Sequence, residues 1–111
     1  MKRDYKLFIN DIRKSVQLIE EYTKNISEED FRKDTKLQDA VIRRLEIIGE
    51  ATKNIPMSLK EKNKQVLWSE ISQFRNLIAH SYFEFSLARI WRTVKEKIPL
   101  IKESIKKIAL V

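Results

Sequence analysis

Cysteine is absent from the chain, glycine occurs once and proline twice. Without cysteine there is no disulfide and no thiolate site, a composition that suits the cytoplasm. A single histidine further disfavours zinc or copper held within one chain, so neither a metal nor a cofactor is expected. All-β folds need many tight turns, and those turns want glycine and proline. Long runs free of both favour an all-α chain. Long apolar runs are missing too: the longest, such as IALV, reach about four residues, against the roughly 20 that a membrane-spanning helix needs. The N-terminal MKRDYKLFINDIRKS carries basic residues with no apolar segment behind them, and does not read as a signal peptide.

What remains is 111 residues, the size of one domain spanning 1–111. Hydrophobic residues make up 42%, enough to build a core, and charged residues 35%, enough to solvate its surface. The net charge of +7 attracts phosphate polyanions, RNA and DNA included. The basic residues are spread along the whole chain, so charge alone points to nucleic acid only weakly.

Apolar spacing divides the chain into helices. Tyr5, Phe8, Ile9, Ile12, Val16, Ile19 and Tyr22 recur at three and four, predicting a first helix over about Asp4 to Lys24. Ser27 with Asp30, Thr35 with Gln38, and Ser58 with Glu61 have capping-box spacing and are expected to open helices. The second of these would start the longest helix, about Lys36 to Asn54. Gly49 lies inside it, where glycine costs up to about 1 kcal/mol against alanine, and close approach of another helix would explain it. Pro56 ends that element. A further long helix is expected from about Val66 towards His80. HSYFEFS then reads as a bend, Ser86 as the N-cap of another helix, and Pro99 as the first turn of a last one. The expected architecture is an up-and-down bundle of four or five main helices with short connecting helices.

The segment RNLIAHSYF, Arg75 to Phe83, holds the only histidine. On a straight helix Arg75 and His80 lie about 140° apart, Asn76 and His80 share a face, and Tyr82 nearly shares the face of Arg75. A bend near His80 would bring all four to one mouth. Such a set suits RNA cleavage without a metal. Histidine can take the 2′-hydroxyl proton or protonate the leaving 5′-oxygen, because it titrates near pH 6.5. The arginine fork matches phosphate oxygens. One histidine cannot easily be base and acid in the same turnover, but a two-fold axis would supply a second. A nuclease reading therefore implies a site shared between protomers. The alternatives are plain: a lone histidine near a helix end is often a cap or a packing residue, Tyr82 would pack with its hydroxyl at the surface, and Asn76 would cap the backbone. Arg43, Arg44 and Glu50 read as surface or helix–helix ion pairs.

RNLIAHSY resembles the R-x4-H-x-Y signature of the HEPN superfamily, in its HepT-like branch. VIRRLEIIGEATKNIP (Val41 to Pro56) is similar to that family's second-helix block, WSEISQFRN to the lead-in to its motif, and IWRTVKEKIPLIKESI to its C-terminal helices. Gln73-Phe74 stands where many members have Gly-Met, and Ser81 where many have an acidic or small residue. The resemblance implies a metal-independent ribonuclease toxin of a type VII-like toxin–antitoxin pair, acting as a homodimer. Arg75 would then stabilise phosphate, His80 would be the acid/base residue and Asn76 would support them. Tyr82 would accept AMP from ATP, transferred by a minimal nucleotidyltransferase antitoxin, and so silence the cleft by charge and bulk. The same superfamily also implies an alternative: a non-catalytic module that binds nucleotide or a nucleotidyltransferase.

Overall fold

The computed structural model of the protein describes residues 4–79 and 84–108. Among these residues the fold is all-α, with no strand. None of its helices is long and apolar enough to cross a membrane. Helix α1 (Tyr5–Thr23) is capped by Asp4, whose carboxylate accepts from the Lys6 amide. Its stripe of Ile9, Ile12, Val16 and Ile19 is buried, as the spacing predicts. Ser27 caps the short α2 (Glu28–Lys33), again as expected.

Helix α3 (Thr35–Lys53) is the centre of the bundle. It packs against α1 on one side and against α5 (Trp68–Ser72) and α6 (Phe74–Ala79) on another. Its cap is not Thr35 but Asp34, which accepts from the Leu37 amide at 3.0 Å. A carboxylate is the stronger partner for the positive end of a helix. Gln38 instead donates to the carbonyls of Phe31 and Arg32, tying α2 to α3. Helix α4 (Met57–Lys62) likewise starts from Pro56, not Ser58, and has no side-chain cap.

Three expectations in the second half need correction. The helix expected over Val66 to His80 begins at Trp68 and is interrupted at Gln73. There Ser72 Oγ donates back to the Ser69 carbonyl, and the Asn76 amide bonds the Gln73 carbonyl in a tighter turn. The interruption lets Ile71, Phe74 and Leu77 all turn into the core. Ser86 is no cap either: it lies within α7 (Glu84–Arg92), and is buried with an Oγ that has no partner among the described residues. So the Glu84 to Ser86 part of the expected bend is helical, while 80–83 lies outside the described residues.

Pro99 does sit in the first turn of the last helix, α8 (Ile98–Lys106), but no break precedes it. Helix α7 runs through a π-helical turn (Thr93–Lys97) straight into α8. In the π turn the Ile98 amide reaches back five residues to the Thr93 carbonyl. This wider turn accommodates the proline ring and its missing N–H without ending the helix. Ile90, Val94, Ile98, Ile101 and Ile105 form one buried stripe along the whole length. Arg13 of α1 closes the bundle by donating to the carbonyls of Ile105 and Ile108, each at 3.2 Å.

Gly49 does face the α5–α6 crossing, but the approach is not tight. A methyl group there would stand 3.9 Å from Phe74 Cβ and 4.0 Å from the Ile71 carbonyl oxygen, which are ordinary contact distances. Gly49→Ala is therefore expected to raise stability by about 0.5–1 kcal/mol, from helix propensity alone. Thermal unfolding checks this, and a fall in melting temperature would mean that the helices meet more closely.

Candidate active site

Helix α6 carries Arg75 and Asn76 on adjacent residues, and the bundle sends them into different grooves. Phe74 and Leu77, buried in the core, fix the roll of the helix. Arg75 is left on the side facing α3. There a cleft of about 220 Å³ lies between α3 and the α5–α6 pair, lined by Gly49, Glu50, Lys53, Ser72, Arg75 and Ile78 among others. Gly49 leaves room in the wall, since it has no side chain to fill it.

At the cleft, Arg75 Nη2 donates to Glu50 Oε1 at 3.3 Å. Both side chains are largely exposed, 70% for the arginine and 54% for the glutamate. The pair is therefore loosely held: exposed ion pairs contribute about 0–1 kcal/mol. Most of the guanidinium fork faces solvent, where an incoming phosphate could take it bidentately. Glu50 thus occupies the place of an anion and is easily displaced by one.

Asn76 faces the opposite groove, in company with Gln73, Arg89, Arg92 and Lys97. Within one chain, then, it does not share the cleft of Arg75. His80 and Tyr82 lie outside the described residues, directly after the end of α6 at Ala79. Of the second-helix charges, Arg43 pairs with Glu46 at 2.6 Å on the surface of α3. Glu50 makes the helix–helix ion pair that its sequence suggests, but its partner is the motif arginine. Sequence reasoning passed over Lys53 on the cleft and Arg89 and Arg92 on the far groove. The two arginines stand three residues apart on α7, a spacing that puts them on one face.

Glu50→Gln tests the displaceable pair. Melting should change by less than about 0.5 kcal/mol, because the pair is exposed. Affinity for a single-stranded oligonucleotide should rise a few-fold, since a competing charge is gone from beside Arg75. Weaker binding in a titration would show instead that Glu50 holds Arg75 in its working position.

The sequence pattern of the family described as ribonuclease HepT-like matches residues 12–108. The chain is 45% identical over 108 residues to a Thermococcus cleftensis protein named as a probable ribonuclease HepT, covering 97% of this chain and 98% of that one. It is 48% identical over 108 residues to a Methanocaldococcus jannaschii protein named as a gamma-glutamylcyclotransferase and proposed RNase. That match covers 97% of this chain but 49% of the relative, so the chain spans about half the length of that protein. A Caldanaerobacter subterraneus protein named as a proposed RNase is 40% identical over 101 residues, 91% of this chain and 90% of that one. No solved structure gives a significant match. A helical bundle with an exposed arginine five residues before its single histidine, matched over nearly its whole length, is a member of the ribonuclease HepT-like family of the HEPN superfamily.

Proposed function

We propose that the chain is a metal-independent endoribonuclease, the toxin of a type VII-like toxin–antitoxin pair, whose active site is shared between the two copies of a homodimer. The observation that carries the reading is Arg75. In a HepT-like chain it stands exposed at a cleft, paired only loosely, on the helix that leads directly to the one histidine.

The chemistry follows from those residues. His80 of one protomer takes the proton from an RNA 2′-hydroxyl. That oxygen attacks the neighbouring phosphorus, and the bond to the 5′-oxygen breaks. The second protomer's histidine gives that oxygen its proton. The products are a 2′,3′-cyclic phosphate and a free 5′-hydroxyl, and no redox partner or metal enters the balance. Arg75 leaves Glu50 and stabilises the charge that builds on the phosphoryl oxygens. Asn76 faces the other groove of its own chain and takes no step in this chemistry. Each acid or base role is typically worth about 10²–10⁴-fold in rate.

Tyr82 is the point of control in this reading. Its hydroxyl attacks the α-phosphorus of ATP on a minimal nucleotidyltransferase, pyrophosphate leaves, and AMP remains on the tyrosine. The added phosphate and nucleoside then repel and block RNA at the same mouth. RNA and ATP are both substrates of the cytoplasm, where the pair would act.

The test is RNA cleavage in EDTA, with protein expressed without the nucleotidyltransferase so that Tyr82 is free. Natural chain and His80→Ala are compared after both are shown to fold and dimerise alike. A loss of about 100-fold or more in the variant is expected. The rate of the natural chain should fall on both sides of an optimum near neutral pH, because one histidine must be neutral and the other charged. Equal cleavage by both proteins would point to a contaminating nuclease and end the catalytic reading. Silence from both, over a broad set of RNAs, would favour the non-catalytic HEPN module that binds nucleotide or a nucleotidyltransferase.

A further inference from the structure

The groove on the other side of α6 has no part in the proton transfers above. It is open and encloses about 360 Å³, with Phe74 and Leu77 among its lining and Asn76, Arg89, Arg92 and Lys97 beside them. Its charges do not cancel. Lys97 is matched by Glu70 at 2.8 Å. Among the described residues, Arg89 and Arg92 pair with no carboxylate. Some other surface cations are neutralised, among them Arg32 by Glu28, Lys33 by Glu29, Arg43 by Glu46 and Lys102 by Glu20; what sets Arg89 and Arg92 apart is that they share one groove.

Arg89 and Arg92 are exposed, so the fold does not depend on their heads. Three apart on α7, they lie on one face. Across the groove Asn76 contributes a side-chain amide. Two unmatched guanidinium forks beside an amide donor are what phosphodiester oxygens require. The open form suits an extended strand better than an enclosed small molecule. Arg75 and Asn76 are consecutive residues facing opposite grooves, so a strand leaving the cleft has only to cross α6. A helix with its side chains is about 10–12 Å across.

We propose that this groove is a second RNA site, which grips the phosphodiester backbone of single-stranded RNA flanking the bond to be cut, with Arg89 and Arg92 each neutralising one phosphate. The assignment of which bond is cut rests on the ribonuclease reading; the grip on RNA does not.

The test uses the full chain with His80→Ala, so that RNA is bound and not consumed, and a labelled single-stranded RNA of about a dozen nucleotides. Affinity is measured between about 50 and 200 mM salt. Arg89→Gln with Arg92→Gln should weaken binding roughly tenfold at the lower salt. It should also reduce the slope of log affinity against log salt by about 1.4, two contacts at about 0.7 each. Lys14→Gln with Lys36→Gln removes the same charge from exposed positions on α1 and α3, and should leave most of the slope in place. Arg89→Lys with Arg92→Lys should keep the slope while losing affinity, because the charge remains and the fork is gone.

In a chain with His80 intact, the glutamine pair should raise KM for a long RNA with kcat changed by less than about two-fold, as expected for uniform binding. An unchanged affinity and slope in the glutamine pair would overturn the proposal and turn the groove over to some other partner. So would an equal loss in the Lys14 and Lys36 control, which would make the attraction diffuse. A natural chain that binds RNA, loses the slope with the glutamine pair and cuts nothing would support the groove while ending the ribonuclease reading.

Discussion

The cleft depends on the two-sided burial of α3. Val41, Leu45 and Ile48 are fully enclosed, with Ile9, Ile12, Val16 and Ile19 of α1 and Ile71 and Phe74 of the α5–α6 pair in the same core. Burying one such side chain contributes about 1.5–3 kcal/mol. The exposed Arg75–Glu50 pair contributes about 0–1 kcal/mol. Packing, not the ion pair, therefore sets how α6 lies along α3. Because the arginine is carried by a helix held elsewhere, it can exchange a glutamate for a phosphate without loosening the fold. A site that binds and releases a polyanion needs this separation between what holds the scaffold and what meets the ligand.

Helix α6 owes its position to the interruption at Gln73. On a straight helix Ile71, Phe74 and Ile78 would share one side, and Leu77 would stand about 100° round the axis from Ile78. The local turn, with Ser72 bonded back to Ser69, re-aims the second segment so that Phe74 and Leu77 join Ile71 in the core. Residues 75 and 76 then fall on opposite flanks. One flank meets α3 and its acidic and basic residues. The other meets α7 and the π turn, where arginines prevail. On the two proposals above, this short helix would give an anionic strand a reactive point on one flank and a grip on the other.

The π turn is a second case of geometry answering to packing. Pro99 reads in the sequence as a new start, since proline removes an amide and crowds the preceding turn. The stripe of Ile90, Val94, Ile98, Ile101 and Ile105 continues past it, and burying that stripe against the bundle outweighs the local defect. Widening one turn preserves both. The same preference for burial explains Ser86, which has the chemistry of a cap and lies instead inside a packed helix face. Asp34 displaced Thr35 as the cap of α3 for an electrostatic reason, visible only once α2 is seen to end at that residue.

The all-α class, the long helices α1 and α3 and their buried stripes were written in the sequence, because period and glycine content are local properties. The sequence also carries Arg75, Asn76, His80 and Tyr82 at the spacing of the family motif, and the roles proposed for them rest on that resemblance. Which groove each side chain enters was not written there. The partner of Glu50, the separation of Arg75 from Asn76, the merging of α7 with α8 and the company kept by Arg89 and Arg92 all depend on where distant segments cross. Those crossings are decided by burial summed over the whole core, a quantity that no single stretch of the chain contains.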